Sequence, residues 1–205
     1  MFKFNDYVHY IWVGNNEIPD EYLKNFQETK SLNPTYNFII WKESDIKEHI
    51  PDHIDRFESG TIFQKLQLGR YGIANKFGGI VCDFDIKWKK DFDYFYDWFC
   101  YPVDMIFPYR NSICFYNKGM KTTLVDDFFF ATQPNLTNDY INFCHSLNET
   151  NADYNPEGIT HPYIVTYLTK WLLSRQNIKY LSHKQIGEHE DCILAVHANK
   201  QTWDI

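Results

Sequence analysis

The sequence has too little positive charge for a general nucleic-acid-binding protein. Its 205 residues contain 20 lysines and arginines against 27 aspartates and glutamates, which gives a formal net charge of -7. Binding to a phosphate backbone requires a basic face, and no cluster of basic residues provides one. We therefore expect no nucleic-acid partner, and we expect a nucleotide ligand to need a local cation.

Paired cysteines and long apolar runs are also missing. The five cysteines are widely spaced and form no CxxC pair, which argues against a disulfide framework and against a zinc site. No stretch approaches the roughly 18 apolar residues of a membrane-spanning helix, and the first residues lack the segments of a signal peptide. These absences predict reduced thiols and a soluble cytoplasmic protein, located in the host cytoplasm if a virus encodes it.

No linker rich in proline, glycine or serine divides the chain, and no internal repeat is visible. Aromatic residues are abundant instead, with 17 phenylalanines and 15 tyrosines, and they make up 19% of the sequence. This content is too high for a disordered chain, and the length is ample for a large core. We predict one folded domain over residues 1–205.

The most informative stretch runs from residue 62 to residue 85. Apolar residues recur there at the spacing of one buried helical face, which predicts a helix from Ile62 to Phe77. Gly78-Gly79 then ends the helix, and the apolar run that follows predicts a strand buried on both faces. Asp83 and Asp85 come at the carboxyl end of this strand, where α/β sheets bind ligands. Two carboxylates there are suitable ligands for Mg²⁺ or Mn²⁺.

The remaining pattern predicts an α/β fold. A strand over 7–13, a helix that begins near Pro19 and ends before Asn33-Pro34, and a strand over 37–41 precede the stretch just described. This alternation is typical of a parallel sheet covered by helices. The second half is less regular and predicts a mixed sheet, with strands at 105–107, 114–116, 128–131 and 193–197 and helices at 138–147 and 162–175.

Three segments, in this order, resemble the glycosyltransferases that carry a DXD motif. They are His9-Tyr10-Ile11-Trp12-Val13-Gly14, then Leu68-Gly69-Arg70-Tyr71 with Lys76 through Asp85, and finally His197 with Thr202-Trp203. The family includes polysaccharide and mannosyl-chain transferases and, more distantly, glucosylating bacterial toxins. The resemblance implies a GT-A fold, a UDP-sugar donor, a Mn²⁺ or Mg²⁺ ion and a glycan or glycoprotein acceptor.

The resemblance also implies a layout for the site. A nucleotide-binding half would occupy about 1–90, and an acceptor half with a C-terminal lid about 91–205. The implied metal ligands are Asp83, Asp85 and His197. The implied contacts to the nucleotide sugar are Ile11, Trp12, Val13, Gln67, Arg70, Asp83, Phe84, Lys200, Thr202 and Trp203. The implied catalytic residues are Arg70, Asp126 and Asp127, with His161 on the acceptor side.

Each role has a physical reason. The indole of Trp12 would stack on uracil, a contact worth about 1–3 kcal/mol. Asp85 would coordinate the metal directly, while Asp83 would face the ribose or a metal-bound water. A neutral imidazole at His197 suits Mn²⁺, and the guanidinium of Arg70 suits a diphosphate or sugar oxygen.

Two parts of the acceptor half, the C-terminal lid and Asp127, would have other roles. Lys200, Thr202 and Trp203 would close over the diphosphate and exclude water. Asp127 would bind sugar hydroxyls or orient the acceptor, and it would be the nucleophile if the expected retention of anomeric configuration required a covalent intermediate. Two positions depart from the family, because Gln67 stands where many members have Asp and His161 stands where a glycine is usual.

Other interpretations stay open at this point. Trp12 would otherwise be a core residue, Asp83 and Asp85 a turn or helix cap, Arg70 a surface salt bridge, and His197 a structural histidine. Asp126-Asp127 would be part of a plain loop, and the lid residues 200–203 a frayed C-terminus. A phosphatase of the haloacid-dehalogenase type also has Asp-x-Asp after an apolar strand, although its motif normally follows the first strand and has Thr where Lys87 stands. A nonenzymatic carbohydrate-binding module would explain the aromatic residues but not the carboxylates.

Overall fold

The computed structural model describes residues 4–96, 103–110, 124–125, 128–142, 177–182, 184–187 and 190–197. Within these ranges the strands are β1 (Tyr7–Ile11), β2 (Asn37–Trp41), β3 (Gly79–Cys82), β4 (Ile86–Trp88), β5 (Met105–Arg110), β6 (Leu124–Val125), β7 (Phe129–Thr132), β8 (Ile178–Leu181), β9 (Ile186–Gly187) and β10 (Ala195–His197). The α-helices are α1 (Asp20–Leu32), α2 (Glu43–His49), α3 (Ile54–Ser59), α4 (Ile62–Phe77) and α5 (Phe92–Tyr96). A 3-10 turn, Pro51–His53, precedes α3. None of the helices in the described ranges has the length and apolar character needed to cross a membrane.

The strands form a large mixed sheet and a small one. The large sheet has the order β2-β1-β3-β7-β5-β6, and β8 pairs with β5. Strands β2, β1, β3, β5 and β8 run in one direction, whereas β7 and β6 run in the other. The small sheet has the order β4-β10-β9. The predicted α/β fold with a mixed, mostly parallel sheet is therefore confirmed.

Helices cover both faces of the large sheet. Successive residues of a strand point to opposite faces, so Tyr10 of β1 packs in one apolar cluster with Phe26 of α1. Its neighbour Ile11 packs in a second cluster with Ile46 of α2 and Leu66 of α4. The sheet is thus buried between α1 on one side and α2, α3 and α4 on the other.

Strand β3 lies at the centre of this arrangement. It pairs with β1 in parallel and with β7 antiparallel, and all four of its residues are buried. The helix before it begins and ends at the predicted residues. Thr61 and Gln64 exchange hydrogen bonds between side chain and backbone N–H at its start. At its end, Gly78 and Gly79 both have positive φ, and a side chain on Gly79 would meet the carbonyl oxygen of Tyr7 at 2.5 Å.

The other sequence-based assignments have mixed outcomes. The strand over 37–41 is confirmed, and the predicted strands over 7–13, 105–107, 128–131 and 193–197 are present with ends shifted by a few residues. Residues 138–142 are helical. The predicted strand over 114–116, the helix over 162–175 and the remainder of the helix over 138–147 lie outside the described residues. Cys82 and Cys192, the cysteines within them, are both buried.

We predict that Gly72→Ala destabilises the protein by about 1–3 kcal/mol. Alanine is normally the better helix former by about 1 kcal/mol, but its Cβ would lie 2.3 Å from Cγ2 of Ile50, which follows α2. Urea unfolding measures the change in free energy. In an Ile50→Ala background, the cost of Gly72→Ala should shrink because the clashing methyl group is gone. A stabilising effect of Gly72→Ala in the parent protein would contradict the packing described here.

A buried histidine ties the helix end to the sheet. Nδ1 of His9 accepts a hydrogen bond from Nε1–H of Trp41 at 3.0 Å, so Nε2 carries the proton and donates it to the carbonyl of Gly78 at 2.8 Å. The ring is completely buried. Burial lowers the pKa of His9 to about 4, against the opposing effect of the bond to Gly78. His9 is therefore neutral in the native state at pH values above about 4.

This histidine should make stability fall as the pH falls from 6.5 to about 4. The unfolded chain takes up the proton below pH 6.5, whereas native His9 does so only near pH 4, and a pKa difference of that size corresponds to about 3 kcal/mol. We expect urea unfolding at pH 7 and pH 4.5 to show a smaller pH dependence for His9→Gln than for the parent chain. Equal pH dependence in the two proteins would show that His9 is not responsible.

Candidate functional site

The predicted metal motif forms a tight turn at the carboxyl end of β3. Backbone N–H of Asp83 donates to the carbonyl of Phe128 at 2.9 Å, and N–H of Ile86 reaches back to the carbonyl of Asp83 at 3.4 Å. Nδ2 of Asn25, on α1, donates to the carbonyl of Phe84 at 3.1 Å. The turn is therefore held by the large sheet on one side and by α1 on the other.

The side chain of Phe84 anchors the turn in the first apolar cluster. It is buried, and its ring lies 4.8 Å from that of Tyr10 and 5.7 Å from that of Trp12, measured between centroids. Because Phe84 points into the core, the aspartates on either side of it leave the sheet at its edge. Its predicted contact to a nucleotide sugar would have to come from the main chain.

Asp83, Asp85 and His197 meet at this edge. One potential ligand atom from each side chain lies within 4.8 Å of the other two, and Nε2 of His197 is 3.2 Å from Oδ1 of Asp85. The small sheet explains how His197 arrives there. The chain leaves Asp85 directly into β4, and β10 pairs antiparallel with β4 so that His197 stands opposite Ile86. The register of this pair places the imidazole beside the carboxylate.

The imidazole of His197 is buried and stacked on an aromatic ring. Its ring is stacked on that of Phe128, with centroids 4.2 Å apart and planes 10° from parallel. Among the described residues, Nδ1 of His197 has no hydrogen-bond partner. The ring orientation is therefore set by the stack on Phe128 and by the contact with Asp85.

Arg70 supplies positive charge to the cluster. It lies on α4, is buried, and forms an ion pair with Oδ1 of Asp83. A buried carboxylate is costly unless it is paired or binds a cation. Carboxylate oxygens together with an imidazole nitrogen are ligands that Mn²⁺ accepts, and Mg²⁺ accepts the oxygens. These residues fit a divalent cation.

The loop after β1 borders the same edge. Trp12 is half-buried, its backbone N–H donates to the carbonyl of Trp41 at 2.9 Å, and its indole N–H donates to the carbonyl of Asn16 at 2.7 Å. The edge-on contact with Phe84 connects this indole to the metal turn. Trp12 thus has a packing role, as the alternative interpretation held, while part of its surface stays exposed.

A carboxylate fixes the continuation of this loop. Gly14 has φ +94°, and its N–H donates to Oε1 of Glu43 at 2.8 Å. Oε2 of the same carboxylate forms an ion pair with Nζ of Lys65 at 3.1 Å. Helices α2 and α4 thereby hold the loop that carries Trp12.

The described structure brings together some of the predicted residues. Arg70, Asp83, Asp85 and His197 form one cluster, and Trp12 contacts it through Phe84. Ile11 and Gln67 are buried, and Val13 is half-buried against the second apolar cluster. The residues predicted at the site that lie outside the described ranges are Asp126, Asp127, His161, Lys200, Thr202 and Trp203.

Sequence reasoning missed Phe128, Asn25 and Glu43. Phe128 begins an aromatic run that indicates only a buried strand, and its contact with His197 joins distant parts of the chain. Asn25 is a polar residue within an amphipathic helix and gives no local signal. For Glu43 the one available signal was its position at the start of a helix, where acids are common.

Comparison with curated proteins finds relatives that match part of the chain. Inositol phosphoceramide mannosyltransferase 3 of Schizosaccharomyces pombe is 26% identical over 91 residues, which cover 42% of this chain and 25% of that protein. Mannosyl phosphorylinositol ceramide synthase CSH1 of Saccharomyces cerevisiae is 35% identical over 83 residues, which cover 38% and 22%. The matches therefore span about a quarter of the length of these relatives. No protein-family model matches the sequence.

Comparison with solved structures identifies the fold. The PaToxG glycosyltransferase superposes with a TM-score of 0.55 at 14% identity, and the aligned region covers 83% of this chain and 70% of the PaToxG chain. A glycosyltransferase involved in glycosylation of the major capsid of PBCV-1 gives a TM-score of 0.52 at 11% identity and covers 95% and 94%. The fold is the GT-A fold of glycosyltransferases, and the resemblance inferred from the sequence motifs is confirmed.

The cluster itself makes a first prediction about ligands. Asp85→Asn should abolish binding of Mn²⁺, measured as free Mn²⁺ by electron paramagnetic resonance, because it removes a charged ligand from the buried cluster. The amide keeps nearly the same shape, so circular dichroism should show an intact fold. Asp52→Asn is the matched control, since Asp52 is an exposed carboxylate outside the cluster. Mn²⁺ affinity unchanged by Asp85→Asn would remove Asp85 from the ligand set.

Proposed function

We propose that the chain is the catalytic part of a metal-dependent, retaining glycosyltransferase that moves a sugar from a UDP-sugar to a glycan or glycoprotein acceptor. The observation that carries this proposal is the meeting of Asp83, Asp85 and His197 at the carboxyl end of the central strand. The buried cation Arg70 lies against the same cluster. The GT-A fold supports the same class of reaction, as do the names of the proteins that match part of this chain.

In this proposal the cluster holds the diphosphate end of the donor. Asp83, Asp85 and His197 would bind Mn²⁺ or Mg²⁺, and the bound cation would stabilise negative charge on the departing diphosphate. Arg70 orients Asp83 through their ion pair and keeps a guanidinium close to where the diphosphate would lie. The side chains that form the site are mostly buried, which strengthens these electrostatic interactions.

The loop after β1 would hold the base. The exposed part of the Trp12 indole offers an aromatic surface, and the flanking backbone of Ile11 and Val13 offers hydrogen-bonding groups for a base edge. The bonds from Trp12 and Gly14 to β2 and α2 keep this loop in place before a ligand arrives. A preformed site of this kind reduces the entropy lost on binding.

Several assignments remain predictions of the same proposal. Asp127 is the proposed catalytic carboxylate, with Asp126 beside it and His161 on the acceptor side. Lys200, Thr202 and Trp203 are proposed to close over the diphosphate after binding. Gln67 is buried one helical turn from Arg70 on α4, and its proposed role is a contact with the nucleotide sugar.

The two other function classes explain less of the site. A haloacid-dehalogenase phosphatase accounts for the aspartates, but the similar solved structures are glycosyltransferases. A carbohydrate-binding module accounts for the aromatic residues, most of which form the two apolar clusters. It gives no reason for buried carboxylates beside an arginine and a histidine.

A donor screen tests the proposal. Thermal-shift measurements with Mn²⁺ and a panel of UDP- and GDP-sugars should show stabilisation by one donor class, because a ligand that binds only the native state raises its stability. The selected donor should then be hydrolysed or transferred with release of the nucleoside diphosphate, and Asp85→Asn should prevent this. Turnover of p-nitrophenyl phosphate would favour the phosphatase instead, and neither activity would favour a binding module. Selection of a GDP-sugar would keep the transferase and overturn the UDP assignment.

Trp12→Leu should weaken UDP binding by about 1–3 kcal/mol, since the stacking surface for the base is lost. Isothermal titration with UDP and with the UDP-sugar should show similar losses, because the proposed contact involves only the base. Tyr94→Leu is the control, because Tyr94 is an exposed aromatic residue on α5. Full UDP affinity in a folded Trp12→Leu protein would contradict the stacking role and leave Trp12 as a packing residue.

A further inference from the structure

Phe128 makes two contacts with the candidate metal ligands. Its ring lies nearly parallel to the imidazole of His197, with 4.2 Å between centroids. Its carbonyl accepts the backbone N–H of Asp83 at 2.9 Å. The residue is buried, immediately before β7. One residue thus contacts ligands from two distant segments of the chain.

We propose that Phe128 is a positioning residue for the metal site, which fixes the plane of the His197 imidazole and holds the main chain of Asp83. The proposal rests on the proposed function, since it assumes that the cluster binds a divalent cation. It adds a residue that belongs to neither the DXD motif nor the C-terminal segment.

The surroundings of His197 explain why such a residue is needed. Metal-binding histidines are normally oriented by a hydrogen bond from the second ring nitrogen. Within the described part of the chain, Nδ1 of His197 has no such partner. Rotation of a histidine ring about χ2 is otherwise broad, and a flat neighbour in stacking contact limits it. The stack on Phe128 leaves Nε2 directed toward Asp85, at 3.2 Å from Oδ1.

The main-chain contact has a different consequence. The bond from Asp83 to Phe128 continues the pairing of β3 with β7, in which Cys82 stands opposite Phe129. It fixes the point at which the chain turns into Phe84 and Asp85. A side-chain substitution at Phe128 leaves this backbone bond possible, so such a variant tests mainly the stack.

The test compares Phe128→Leu with Phe129→Leu. Both remove a buried aromatic ring, but the ring of Phe129 packs against Trp88, 5.2 Å between centroids. We expect Phe128→Leu to weaken Mn²⁺ binding by about 10-fold or more, as is typical for groups that orient metal ligands. Phe129→Leu should change the affinity much less, and Phe128→Tyr, which keeps the ring, should retain most of it. Electron paramagnetic resonance of free Mn²⁺ gives all of these affinities.

Nuclear magnetic resonance of the metal-free protein gives an independent readout. The ring protons of His197 should resonate upfield in the parent chain and in Phe128→Tyr, because they lie over an aromatic face. Phe128→Leu should remove this upfield shift. His197 protons at ordinary positions in the parent chain would overturn the proposal even if Phe128→Leu failed to fold.

The outcomes separate this inference from the function on which it rests. If the parent chain binds Mn²⁺ and loses it in Asp85→Asn, but Phe128→Leu binds it equally well, only the positioning role is overturned. Equal losses in Phe128→Leu and Phe129→Leu would also overturn it, because general destabilisation would then explain both. If the parent chain binds no divalent cation, both the metal site and the role of Phe128 fail.

Discussion

The complete burial of β3 is the constraint on which the site depends. A strand in that position must have its backbone groups paired along both edges, and β1 and β7 provide the pairing. It must also follow α4 without a bulky turn, which explains the positive φ angles of Gly78 and Gly79 and the close approach of Gly79 to Tyr7. The polar groups that follow the strand therefore reach the edge of the sheet at one defined point, Asp83.

Charge then determines what can assemble at that point. Asp85 and His197 are almost fully buried, and Asp83 is bound to the buried guanidinium of Arg70. Removing carboxylates from water is costly unless they are paired or bind a cation. The chemistry of these side chains suits a divalent cation, because such an ion would bind both carboxylates and the imidazole together.

The sequence was sufficient to predict the helix and the motif that carry the site, but not the long-range contacts that hold them in place. Helix α4 and the motif after β3 could be predicted because a long apolar period, two adjacent glycines and a short apolar run are all local signals. Strand β10 could also be predicted, from the apolar run at 193–197, whereas β4 has three residues, too few to show a period. The stack of Phe128 on His197 and the bond from Asn25 to Phe84 depend on distant segments meeting in space, so no local pattern records them.

The placement of His197 also couples the two sheets. Asp83 follows a strand of the large sheet, whereas His197 ends a strand of the small sheet, and β10 reaches the cluster through its pairing with β4. A cation bound by both Asp83 and His197 would stabilise the docking of β10 against the large sheet, since a ligand stabilises the state that binds it. By the same linkage, any loosening of β10 would weaken cation binding. The loop after β1 is held by β2 and α2, which do not depend on β10. In the proposed function the base site would therefore keep its place whether or not β10 is docked, whereas the diphosphate site would be complete only when the two sheets are held together.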